Sequence, residues 1–153
     1  MRVCRLRMKT LTEEQFRQIV MIEENCGLEP YTPEMLQECI EELDTYGYLE
    51  NGRVLGFITV HPSSRYLSGG VYIVNLNVEK NHRRQGIGEK LILEACGSYA
   101  NSHRGSLVTL DVAKDNTAAM SLYKKLGFFA TDLPSGNGDT DLVMAIPIER
   151  MIK

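Results

Sequence analysis

The run Arg83-Arg84-Gln85-Gly86-Ile87-Gly88-Glu89-Lys90 joins a β-branched apolar stretch, 71–78, to an amphipathic helical pattern. Two closely spaced glycines at such a junction let backbone approach a ligand with no side chain in the way. The first N–H groups of the following helix have no partners within it and face outward as donors. The helix dipole adds positive potential there, so the junction is suited to an anion, phosphate above all. Another strand pattern, 107–112, follows the helix. A strand–helix–strand unit of this kind implies a parallel strand pair in a sheet packed against helices.

Spacing narrows the kind of phosphate site. A nucleoside-triphosphate loop requires G-x-x-x-x-G-K-[ST], and Gly88 is followed instead by Glu89-Lys90-Leu91. A dinucleotide fingerprint requires a third glycine where this chain has Leu91. The pattern that fits is [QR]-x-x-G-x-[GA], with Arg83, Gly86 and Gly88 in the fixed places. A second block, 107–128, reads LVTLDVAKDNTAAMSLYKKLGF. It has a strand, an Asn-bearing turn, and a helix ending in L-Y-x-K-x-G-F. Together the two blocks resemble the GNAT family of acyl-CoA-dependent N-acetyltransferases over roughly the C-terminal half of the chain, 71–128. The N-terminal half agrees in element order but carries no sharp signature.

Composition bounds the alternatives. At 153 residues the chain suits one domain, 1–153, with a substantial core. A net charge of -3 gives no default attraction to nucleic acid. The basic start MRVCRLRMK lacks the apolar stretch of a signal peptide, and no apolar run approaches membrane-spanning length. Cys4, Cys26, Cys39 and Cys96 form no C-x-x-C pair, and His61 and His103 lack metal-ligand spacing, so neither a redox motif nor a metal site is expected. A soluble, cytoplasmic protein is the expectation.

Local patterns give the element order. Residues 3–8 alternate as a half-exposed strand. Thr12 to Gln15 is a capping box followed by Phe16, Ile19 and Val20 at helical spacing, and Asn25-Cys26-Gly27 ends that helix. Thr32-Pro33 starts a second helix with Leu36, Cys39, Ile40 and Leu43 as its apolar stripe. Residues 46–50 and 54–61 form a hairpin about Asn51-Gly52, and 62–70 is a longer turn. Ile87, Leu91, Ile92, Ala95, Cys96 and Tyr99 mark the buried face of the main helix. Ala119, Leu122, Tyr123 and Leu126 mark that of the last, which Gly127 stops. Strands at 128–131 and 141–146, joined by a flexible 134–138 segment, close the sheet. The fold class expected is mixed α/β: a mostly antiparallel sheet with one splayed parallel pair and about four helices.

The resemblance implies a reaction and assigns roles. The reaction is direct attack of a primary amine, on a small molecule or a peptide, on the thioester of acetyl-CoA. Backbone groups of Leu76, Asn77 and Val78 would pair with the pantetheine arm like an added strand. The loop Arg83, Arg84, Gln85, Gly86, Ile87, Gly88 and Glu89 would hold the pyrophosphate, with one of the two arginines serving equally as a solvated corner. Asn116 would contact the CoA arm, or act as a helix N-cap. Tyr123 would be the general acid toward sulfur, against the plainer reading of a core tyrosine. Many family members carry a glutamate on the central strand, where this chain has Asn75 and Asn77. Asp111 is the substitute base, or else a solvent-exposed strand residue or a helper of the Asn116 turn; Glu79 and His82 would act through water. The segment 27–31, with Glu29 and Tyr31, would line the acceptor groove together with Asn75. From charge alone, and not from the resemblance, Glu29, Asp139 and Asp141 would favour a cationic amine, against the plainer reading of solvated surface. The alternative is a non-catalytic acyl-CoA-binding module, and monomer or homodimer stays open.

Overall fold

The computed structural model describes residues 2–26, 29–63, 65–66 and 69–152. In chain order the elements are β1 (Arg2–Arg5), α1 (Glu13–Glu24), α2 (Pro33–Glu42), β2 (Asp44–Glu50) and β3 (Arg53–Pro62). There follow β4 (Val71–Val78), α3 (Ile87–Gly97), β5 (Leu107–Ala113), α4 (Thr117–Leu126), β6 (Phe129–Ala130) and β7 (Asp141–Pro147). The strands form one mixed sheet in the order β1-β2-β3-β4-β5-β7-β6. The β4–β5 pair is parallel, through Val71 opposite Val108 and Tyr72 opposite Thr109, whereas β1–β2, β2–β3, β5–β7 and β6–β7 are antiparallel. No described helix is long and apolar enough to cross a membrane.

The chain divides into two compact units, 1–60 with 74–95 and 61–73 with 96–153. In the first, Thr12 caps α1 by accepting from the Gln15 amide at 3.0 Å, and the Gln15 side chain accepts from the Thr12 amide at 3.0 Å. Thr32 caps α2 by accepting from the Met35 amide at 3.2 Å, with Pro33 at the first helical position. Ile19, Ile22, Leu36 and Ile40 from the two helices pack with Leu6, Val54 and Phe57 into a core cluster. Burial of each such side chain is worth about 1.5–3 kcal/mol. Asn51 and Gly52 both take positive φ, 53° and 78°, the signature of the tight turn that matches hairpin twist.

In the second unit, β5 and β7 pair along their whole lengths, and Val108, Leu110, Val143, Met144 and Ile146 are buried on them. Gly127 ends α4 in the left-handed conformation, its amide bonded to Lys124 O.

Some boundaries differ from the sequence reading. β1 stops at Arg5, short of the 3–8 pattern: the Leu6 amide still donates to Thr45 O at 2.8 Å, but the amides of Thr10 and Leu11 turn back onto Arg7 O. α3 ends at Gly97, where bonds from Tyr99 N to Cys96 O and Ala100 N to Gly97 O tighten the chain, so Tyr99 lies beyond the helix. On α4 only Tyr123 is buried, while Ala119, Leu122 and Leu126 are half-buried. Gly27, expected in the helix stop and the acceptor segment, lies outside the described residues with Leu28, as do Ser64, Leu67 and Ser68 of the long turn.

Candidate active site

In the first unit, β4 carries Leu76, Asn77 and Val78 to its end, where the Glu79 amide donates to Leu55 O at 2.8 Å. Glu79 then caps a short 3-10 turn, Lys80–His82, by accepting from the Asn81 amide at 3.0 Å. Its carboxylate also meets His82 Nδ1 at 2.5 Å, and that hydrogen bond holds the Glu79 carboxyl below its ordinary value. Arg83 folds back, its Nε donating to Val78 O at 3.1 Å. Arg84 and Gly86 both have positive φ, 64° and 82°, which turns the chain sharply into α3. The first bond of the helix runs from the Lys90 amide to Gly86 O at 3.1 Å. The amides of Ile87, Gly88 and Glu89 precede it and have no partner further back in the helix.

Arg83, Arg84, Gln85 and Gly86 are exposed, and a Cβ placed on Gly86 would meet nothing within 4 Å. The outer face of the turn is therefore open, as an anion cradle requires. Its other side is packed: a Cβ on Gly56 of β3 would lie 3.1 Å from Asn77 O and 3.2 Å from Ile87 Cγ2. The bare glycine is what lets β3 approach both the end of β4 and the start of α3.

A polar cluster lies beside this strand. Glu23, in the last turn of α1, is only 3% exposed. Its Oε1 accepts from Asn77 Nδ2 at 2.7 Å and its Oε2 from the Tyr31 amide at 2.9 Å. The Cys26 thiol is 3.9 Å from Oε2. Burial pushes the Glu23 carboxyl above its ordinary value, partly offset by these hydrogen bonds. Asn75, two residues before Asn77 on β4, accepts from the Thr59 amide at 3.1 Å through Oδ1, and its buried Nδ2 has no partner among the described residues. Glu29 is exposed, whereas Tyr31 is half-buried against the core.

The second unit holds Asp111, Asn116 and Tyr123. Asn116 is the N-cap of α4, its Oδ1 accepting from the Ala119 amide at 3.1 Å. Tyr123 is buried, its ring 5.6 Å from that of Phe128, and loss of solvent pushes its phenol up to about 12.

Asp111 departs from the sequence reading. Its side chain is 5% exposed, so it is no solvent-facing strand residue. Oδ1 accepts from Tyr66 Oη and Ser135 Oγ, each at 2.6 Å, and Oδ2 accepts from Tyr72 Oη. Arg65 Nε lies 3.7 Å from Oδ2. The Tyr66 hydroxyl also accepts from the Gly136 amide at 3.0 Å, so the segment expected to be flexible is tied down. Nor does Asp111 serve the Asn116 turn. Three hydroxyl donors thus occupy the carboxylate, which joins β5 to the stretches around Tyr66 and Ser135.

Sequence reasoning missed Glu23. The signal was available: Phe16, Ile19, Val20 and Glu23 follow the i, i+3, i+4, i+7 spacing of one helix face. Among the described residues no His, Cys, Asp and Glu group is arranged to hold a metal ion.

Comparison with known proteins agrees with this geometry. A model described as "Acetyltransferase (GNAT) family" matches residues 8–128. The GCN5-related N-acetyltransferase 4, chloroplastic, of Arabidopsis thaliana is 32% identical over 98 residues, which cover 58% of this chain and 33% of the relative. The N-alpha-acetyltransferase 30 of Schizosaccharomyces pombe is 32% identical over 106 residues, covering 65% of this chain and 68% of the relative. The chain thus spans about a third of the first relative and about two thirds of the second. The solved structure of Arabidopsis thaliana NAA60 in complex with acetyl-CoA shares the fold at TM-score 0.72 and 21% identity, covering 97% of this chain and 99% of that one. With the matched model spanning well over half its length, this chain belongs to the GNAT acetyltransferase family.

Proposed function

We propose that the chain works as one N-acetyltransferase domain, 1–153, moving an acetyl group from acetyl-CoA to a primary amine by direct attack. The observation that carries this reading is the end of β4 running through the open Gly86 turn into the first amides of α3, which have no partner within the helix, in a chain of this family. The name of the Schizosaccharomyces pombe relative and the acetyl-CoA complex of NAA60 favour a peptide amino group as acceptor and acetyl-CoA as donor.

The residues divide the work as follows. Backbone groups of Leu76, Asn77 and Val78 align the pantetheine arm, the amides from Arg84 to Glu89 neutralise the pyrophosphate, and Asn116 contacts the arm from the start of α4. An acceptor amine arrives mostly as ammonium near neutral pH and has to lose a proton before it attacks the thioester. Tyr123 acts on the leaving sulfur. With its phenol near 12, complete proton transfer to a thiolate of ordinary pKa, about 8.5, runs uphill. Tyr123 therefore stabilises the departing thiolate as a hydrogen-bond donor, and the second proton that the nitrogen loses, once it is acylated, supplies the final thiol. Glu29, Tyr31 and Asn75 line the acceptor side.

The engagement of Asp111 favours one rival reading, a module that binds acyl-CoA without transferring it. Release of CoA thiol from acetyl-CoA, followed with a panel of short peptides bearing free N-terminal amines of every residue type, separates the two. Turnover above the no-peptide rate is expected. Saturable acetyl-CoA binding without turnover on any peptide would leave the binding module in its place.

A further inference from the structure

Glu23 is a buried carboxylate with hydrogen-bonding capacity to spare. A carboxylate offers about four lone-pair sites, and here two take N–H donors and a third faces a weak thiol donor. Among the described residues no Lys, Arg or His forms an ion pair with it. Buried charges are ordinarily paired, because an unpaired one is costly to keep out of water. The titratable groups facing it add no positive charge: Cys26 at the end of its own helix, and Cys39 on α2, whose thiols are pushed up chiefly by burial and to a smaller extent by the Glu23 charge. Arg83 acts on Cys26 from the loop, without forming an ion pair to Glu23.

Its two partners are the elements that an acceptor amine would have to meet. The Tyr31 amide opens α2 from the acceptor side, and Asn77 lies on the strand assigned to the donor's arm. Because Oε1 can only accept when ionised, it fixes Asn77 with Nδ2 inward and Oδ1 turned away. We infer that Glu23 is the general base of the acceptor half, receiving through one water the proton that the substrate ammonium gives up. The water is required because so little of the side chain reaches the surface. In the step, an N–H bond of the ammonium breaks and leaves its electron pair on nitrogen. One proton passes through the water, and an O–H bond forms on Glu23; the proton returns to solvent before the next turnover. Burial moves the carboxyl toward the working range of a base at neutral pH.

This inference rests on the acetyl-transfer reading, and its test distinguishes the two failures. Wild type, Glu23→Gln and Glu23→Asp are each titrated calorimetrically with acetyl-CoA, then assayed across pH with the best peptide of the panel. Glu23→Gln is expected to bind acetyl-CoA normally but to turn over ~10²–10⁴-fold more slowly near neutral pH. That deficit is expected to shrink above the pKa of the peptide amine, about 8, where the amine is already neutral. Glu23→Asp keeps the charge on a shorter arm and is expected to retain part of the rate, which serves as the check if the Gln variant fails to fold. A deficit constant with pH, or none, in variants that still bind acetyl-CoA would overturn the role of Glu23 alone. Wild-type protein inactive on the whole panel would overturn the transfer reading and this inference with it.

Discussion

The Tyr66 hydroxyl donates to Asp111 Oδ1 over 2.6 Å while accepting from the Gly136 amide at 3.0 Å, so one phenol ties β5 to two loops. Ser135 Oγ reaches the same oxygen at 2.6 Å, and Tyr72 Oη the other. Asp111 is thereby the point on which the stretch before β4 and the stretch before β7 are hung.

Replacing it should act on stability before chemistry. In Asp111→Asn one oxygen becomes an NH2 group that cannot accept, which strands at least one hydroxyl. A loss of about 1–3 kcal/mol is expected, read as a lower urea midpoint at unchanged slope. Acetyl-CoA affinity should be retained. Unchanged stability with a collapse of kcat would restore Asp111 as the base.

Tyr123→Phe removes the hydroxyl without emptying the space beside Phe128. A hydrogen bond to a charged group is worth about 1.5–3 kcal/mol, so kcat should fall by roughly 10- to 100-fold. The acetyl-CoA Kd should stay within about twofold, since the bond strengthens only as sulfur becomes thiolate. Because the phenol lies near 12, no titration of Tyr123 should appear in the pH profile between about 6 and 9. Steady-state kinetics and direct titration together check this.

Gly86→Ala tests the turn. A Cβ there meets nothing within 4 Å, so the folding cost comes from the positive φ alone, about 1–2 kcal/mol. Its methyl would project into the open face assigned to phosphate, and acetyl-CoA affinity should drop by more than this strain accounts for. Gly56→Ala tests the packed side of the same turn. Its Cβ would press on Asn77 O at 3.1 Å, and both stability and donor affinity should fall. Calorimetry and urea denaturation of both variants give the comparison.

Glu23 makes a prediction that needs no acceptor. Its folded pKa is raised above the ordinary 4.5. Between that value and the raised one, the native chain holds a proton that the unfolded chain has released. Stability from this group therefore falls as pH rises through the window, and the loss is complete above the folded pKa. Glu23→Gln lacks this titration, so its stability relative to wild type should improve as pH rises from about 4 toward neutrality. Parallel stability curves for the two proteins would show that burial does not govern the carboxyl.

Much of this was legible in the residues. β4 runs over the stretch its β-branched pattern marks, the capping box at Thr12 forms, and Asn51-Gly52 makes the hairpin turn, because each is decided by neighbours in sequence. The Asp111 network was not legible, since its hydroxyl donors Tyr66, Tyr72 and Ser135 lie 45, 39 and 24 residues away along the chain. Glu23 was half legible: its spacing put it on the buried face of α1, but only the fold shows that Asn77, 54 residues on, makes its burial tolerable. Asn116 illustrates a third case, in which the cap is visible and a ligand contact remains compatible with it.

The central claim is that the β4–Gly86–α3 junction receives the donor, and calorimetric titration of the protein with acetyl-CoA, CoA and ATP tests it most directly. Saturable binding of acetyl-CoA and CoA, with no binding of ATP and with acetyl-CoA binding weakened in Gly86→Ala, is the predicted result. Absence of acetyl-CoA and CoA binding by the folded protein would contradict it.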